Sequence, residues 1–138
     1  MFEWKDEYLV GVTAIDQQHK RLFEVAGRFH DAIVANKGKD VLEELLFTLV
    51  RDTENHYLLE ERLMMDVGFP GRQQHAADHK ALREELLTFQ KRFGDGETVT
   101  IQVLQFLSRW LTGHTSPRDR GFGEYYRTSR STSSCTRQ

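Results

Sequence analysis

Apolar residues recur along this chain at three- and four-residue steps, and nowhere do they alternate with polar ones for long enough to suggest a strand. Ile15, His19, Leu22, Phe23, Ala26, Phe29 and Ile33 fall on one helical face. Thr13 and Asp16 resemble a capping box, with Asp in place of the preferred Glu or Gln. Asn36-Lys37-Gly38-Lys39 reads as a stop and a turn. Asp40 can cap a second helix, whose stripe is Leu45, Leu49, His56, Leu59 and Leu63 and which Gly68-Phe69-Pro70-Gly71 ends. A third carries His75, His79, Leu82, Leu86, Phe89 and Phe93 on one face and stops at Gly94-Asp95-Gly96. The fourth begins near Thr98, with Ile101, Leu104, Leu107, Leu111 and His114 inward and Val103, Phe106 and Trp110 alongside.

Four helices joined by short polar turns predict an all-α fold, an antiparallel up-down-up-down four-helix bundle. An extended N-terminal arm precedes it, whose Trp4 and Tyr8 are expected to pack across helix ends. Residues 1–126 read as one domain. Residues 127–138 hold three Arg, many Ser and Thr, and nothing acidic or large and apolar, so they read as a disordered tail.

Composition narrows the class without naming it. A chain of 138 residues, 29% charged and 38% hydrophobic, suits a single soluble domain. No apolar run approaches the ~18 residues of a membrane span, and the opening Met1-Phe2-Glu3-Trp4 lacks the layout of a secretory signal. The net charge of -2 makes no case for nucleic acid. The lone Cys135 excludes an internal disulfide and fits a reducing compartment, so the expected location is cytoplasmic.

The six histidines change the picture once they are placed. His19, His56, His75, His79 and His114 all fall on apolar stripes, at least one per helix, while His30 sits at a stripe edge. A single histidine on such a face is usually a satisfied core side chain. Buried imidazoles need partners, and five facing one interior would compete for them unless a metal took one nitrogen from each. His56 and Glu60, and His75 and His79, are four residues apart, so each pair projects along one helix face. Ala76 excludes the zinc-protease pattern H-E-x-x-H. Asp119 would point about 140° away from His114 in a continuous helix. Pro117 disfavours that continuation and lets the chain bring Asp119 back over the bundle end.

His19, His56-x-x-x-Glu60, His75-x-x-x-His79 and His114-x-x-x-x-Asp119, in this order, resemble the non-haem diiron site of the haemerythrin family. Trp4, Gly11-Val12, Asp16-x-Gln18-His19-Lys20-x-Leu22-Phe23, Glu60-Glu61-x-Leu63-Met64, Phe69-Pro70 and Trp110-Leu111 are similar to its bacterial branch. The resemblance spans about residues 2–126 and makes them a haemerythrin-like domain. It implies that His75, His79 and His114 hold one iron, His19 and His56 the other, and that Glu60 and Asp119 bridge the two. With an oxo or hydroxo bridge this set leaves one of about twelve coordination positions open, on the iron with two histidines. Leu111 is implied to gate access to that position, and Trp110, Thr115 and Phe23 are candidates for the pocket wall.

The function so implied is reversible O2 binding, for storage, transport or delivery, by a protein that is not an enzyme. A sensing or signalling module for O2 or redox state is the alternative, with a diiron enzyme acting on peroxide or nitric oxide ranked below it. O2 is the expected ligand, nucleic acid and membranes are not expected partners, no protein partner is named, and the state is expected to be monomer or weak homo-oligomer. Ferritin-like diiron proteins use Glu-x-x-His pairs, and this chain contains none. Thr115 and Phe122, the latter between two glycines, depart from the bacterial pattern. Thr115 stands where Ile is usual, which should wet the pocket and speed autoxidation. Phe122 stands where Tyr is common, and the flanking Gly121 and Gly123 are expected to loosen the last helical segment.

Overall fold

The computed structural model describes residues 2–114 and 121–129, the side chains of 112–114 excepted. All regular structure among the described residues is helical. Helices α1 (Thr13–Val34), α2 (Lys39–Val67), α3 (Arg72–Gly94) and α4 (Thr100–His114) follow a short 3-10 turn at Asp6–Tyr8, and a further helical segment covers 121–129. Each long helix packs on its neighbours in sequence, and α4 returns to α1, which closes the antiparallel bundle. No described helix is long and apolar enough to cross a membrane.

Three turns set this topology by one device. Asn36, Gly68 and Gly96 take left-handed backbone angles, with φ of 54°, 63° and 93°. Each follows a helix end where the next residue's N–H reaches back to the last turn: Lys37 to Ala32, Phe69 to Met64 and Glu97 to Arg92, at 2.9, 2.9 and 3.0 Å. These bonds satisfy carbonyls that the helix leaves open and stop it sharply. The sequence signals at all three stops therefore correspond to real ends.

The starts differ more. α2 begins at Lys39 behind Gly38 with no side-chain cap, so Asp40 lies inside the first turn. Asp16 does not complete a capping box either. Its carboxylate accepts the N–H of Val10 at 2.8 Å and of Gly11 at 3.1 Å, which ties the arm to α1. Gly11 turns the chain there with φ of 87°. From that latch the arm runs back along the flank of α1. Tyr8 stacks on Phe23 with ring centroids 5.1 Å apart, Trp4 meets Phe23 edge-on at 5.5 Å, and Phe2 reaches His30 at 6.4 Å. The arm aromatics thus pack along α1 rather than across helix ends.

Two buried stripes also differ from expectation. On α2 the core positions are Leu42, Leu46, Leu49, Val50, Thr53, His56, Tyr57, Glu60 and Met64. Leu45, Leu59 and Leu63 lie on the flank, half buried. The stripe is rotated by a little under a quarter-turn, because polar and aromatic residues occupy its centre. On α4 the stripe starts at Val99, just before the helix, so Ile101 points outward and is 66% exposed.

Apolar packing falls into two clusters at different heights. The larger includes Leu22, Phe23, Phe29, Leu49, Tyr57, Leu86, Trp110 and Leu111. The smaller, at one end, joins Val10, Val12, Ile15, Met64 and Phe122, with Phe69 and Tyr126 against it. The 121–129 helix belongs to this end. Gly123 packs so closely on the arm that an added Cβ would lie 2.0 Å from the Val10 carbonyl oxygen. Arg127 donates to that same carbonyl at 3.0 Å, so the helix continues into the segment read as tail. The expected looseness is absent at Gly123, whereas nothing stands within 4 Å of a Cβ at Gly121.

Candidate metal centre

Between the two apolar clusters lies one polar layer. α1 passes through it at His19, between Ile15 and Leu22; α2 at His56 and Glu60, between Thr53 and Met64; α3 at His75 and His79. All five side chains are buried. Helical periodicity explains the arrangement, since residues three or four apart stand one above the other and each helix contributes one level.

Glu60 sits at the centre of this layer. Its Oε2 lies 2.9 Å from His56 Nε2. Its Oε1 lies 3.4 Å from His75 Nδ1 and 3.6 Å from His79 Nε2. His19 Nε2 approaches His56 Nε2 at 3.0 Å. Among the described residues the layer thus contains two triads suited to a cation, His19–His56–Glu60 and Glu60–His75–His79, each with its ligand atoms within 4.8 Å of one another. Glu60 belongs to both.

The outer nitrogens explain the orientation of the inner ones. His56 Nδ1 donates to Gln18 Oε1 at 2.8 Å, and His79 Nδ1 donates to Glu61 Oε2 at 3.3 Å. An amide oxygen and a carboxylate can only accept, so in the neutral ring the proton resides on Nδ1 and the Nε2 lone pair turns inward. Inward lone pairs on His56 and His79 then face carboxylate oxygens of Glu60, acceptor against acceptor. A cation between them removes that conflict, and partners at Nδ1 are the usual accompaniment of metal-ligating histidines. This donor set fits a metal of borderline softness such as iron.

Tyr57 adds a third support. Its ring lies parallel to that of His79, with centroids 4.0 Å apart and planes 7° from one another. Trp110 meets Tyr57 edge-on at 6.2 Å. Trp110, Leu111 and Phe23 are buried in the same apolar cluster as Tyr57.

Five of the seven ligand positions expected from sequence are therefore brought together. The His114 side chain, Asp119 and the pocket candidate Thr115 lie outside the described residues. Three contributors escaped the sequence reading of the site. Gln18 borders a stripe histidine, Glu61 reads as a solvated charge until α3 is placed beside it, and Tyr57 lies on the part of the α2 stripe that the leucine spacing misses.

Comparison with known proteins agrees with this geometry. Residues 10–124 match the family model described as the hemerythrin HHE cation binding domain. The chain is 34% identical over 130 residues to a bacteriohemerythrin of Pseudomonas aeruginosa strain LESB58, covering 93% of this chain and 83% of that one. It is 29% identical over 121 residues to a bacteriohemerythrin of Stenotrophomonas maltophilia, covering 88% and 78%. A crystal structure of a hemerythrin mutant superposes with a TM-score of 0.83 at 25% identity, covering 90% of this chain and 95% of that one.

Proposed function

From its membership of the haemerythrin family, to which this chain belongs, we propose that the protein binds O2 reversibly at a non-haem diiron centre and serves to store or deliver it in the cytoplasm. In this reading His75, His79 and His114 would hold one iron and His19 and His56 the other, with Glu60 and Asp119 shared between them. The observation that carries it is the double membership of Glu60: one oxygen faces His56 and the other faces His75 and His79. A carboxylate shared in that way suits a pair of metals better than one.

Iron bound there would supply a redox-active cation able to take a small neutral ligand. The chain's own groups do the rest. Gln18 and Glu61 hold His56 and His79 in the tautomer that can ligate. Tyr57 fixes the plane of His79. The apolar clusters above and below exclude water and shield the site from protons and anions that would promote oxidation. Leu111, Trp110 and Phe23 form the wall on the side of the larger cluster. Imidazoles outnumber carboxylates, so little anionic charge is available to stabilise high-valent iron, which favours carriage over enzymatic oxygen activation.

The test is optical. The iron-loaded protein is reduced without air, exposed to O2 and then deoxygenated. A visible charge-transfer band that appears with O2 and vanishes on its removal is the expected result. Irreversible oxidation, or no band, would refute the carrier reading.

A further inference from the structure

The outer face of α2 carries three large apolar side chains that nothing among the described residues covers. Phe47, Leu58 and Met65 are 57%, 66% and 63% exposed. At 100° per residue, Phe47 and Met65 each lie within about 20° of Leu58 around the helix. They form one seam about 27 Å long at 1.5 Å per residue. Isolated exposed apolar residues are ordinary, but an aligned row flanked by charges marks a contact surface.

Between Phe47 and Met65 the charges nearest the seam are sorted by sign, whereas one turn before Phe47 the exposed Glu44 lies on the Arg51 side. Arg51 and Arg62 are displaced from Leu58 to one side by about 20° and 40°, and Glu54 and Glu61 to the other by about 40° and 60°. Arg51 already meets Asp52 at 3.4 Å and Glu61 meets His79 at 3.3 Å, whereas neither Glu54 nor Arg62 has an ion-pair partner among the described residues. A basic flank and an acidic flank astride an apolar seam is self-complementary in one orientation. When two such helices lie parallel about a two-fold along their length, opposite flanks meet at the same level. Arg51 then faces Glu54 of the second copy, and Arg62 faces its Glu61. Antiparallel pairing would set Arg against Arg and Glu against Glu, because like flanks meet in that arrangement. Sorted charges of this kind set partner choice and direction in helix pairs.

We propose that the Phe47–Leu58–Met65 face of α2 is a homodimer interface, on which a second copy of this chain packs with its α2 parallel. The contact is isologous, and Phe47, Leu58 and Met65 each meet their own counterpart across the two-fold. One helix face is small beside the usual interface, so association is weak and concentration-dependent. A membrane surface is a poorer occupant, since the seam is edged by both signs of charge.

The test uses the full iron-loaded chain. Sedimentation up to about 1 mM is expected to show a monomer–dimer equilibrium that Leu58→Asp weakens at least tenfold, by opposing two carboxylates at the two-fold. Arg51→Glu is expected to weaken it as well, and the exchange Arg51→Glu with Glu54→Arg to restore it. Direction is read by cross-linking in a Cys135→Ser background. Phe47→Cys alone and Met65→Cys alone are each expected to form disulfide-linked dimers under oxidation. A cross-link that forms only when the two variants are mixed would mean antiparallel pairing and overturn the proposal. A monomer throughout the concentration range, or a dimer indifferent to Leu58→Asp, would overturn it too.

Discussion

Glu60 lies one turn beyond His56 and gives each of its oxygens to a different set of imidazoles. One substitution there should therefore act on both halves of the site. Glu60→Ala is expected to lower iron from two per chain to one or none, as measured by metal analysis of the purified variant. Gln18 and Glu61 act one step further out. Glu61→Ala and Gln18→Ala should weaken iron retention against a chelator by about 10- to 100-fold, the usual cost of losing an outer partner. Glu61→Gln, which still offers an oxygen to His79 Nδ1, should lose less. His19, His56, Glu60, His75 and His79 were legible in the sequence because helical spacing alone places them inward. Glu61 was not, since only the position of α3 distinguishes a partner of His79 from a solvated charge.

Helix ends were the most legible elements, because Asn36, Gly68 and Gly96 are chemically suited to the left-handed angles they adopt. The rotation of the α2 stripe was hidden. Leu45, Leu59 and Leu63 look like core, whereas Thr53, Tyr57 and Glu60 occupy the core in fact, and hydropathy does not mark a buried polar layer. Close approach was hidden for a similar reason: a glycine reads as loose until its neighbour is known. Gly123→Ala is expected to destabilise by about 1–3 kcal/mol, by pushing the 121–129 helix off the Val10 carbonyl. Gly121→Ala, with open space around it, should leave the thermal midpoint within a degree or two or raise it. Asp16→Ala should release the arm, costing about 1–3 kcal/mol, chiefly for the buried Val10 N–H left without its acceptor, with the part-buried Gly11 N–H adding less. Thermal unfolding of the three variants side by side checks all three expectations.

At the scale of the whole molecule, the bundle is two apolar clusters with a polar layer between them. Without a cation that layer is a cost, because buried imidazole and carboxylate acceptors oppose one another. A cation held there would tie α1, α2 and α3 together. Removing iron should accordingly lower the unfolding midpoint, and the drop should be reversed by adding ferrous iron without air. Glu60→Ala should show little further drop on chelation. Uptake of gas by the reduced protein is the most direct measurement of all. Reversible carriage predicts two irons and one O2 taken up per chain, with the O2 recovered on evacuation and the cycle repeatable. Uptake that cannot be recovered, or iron bound in pairs with no O2 uptake, would contradict it.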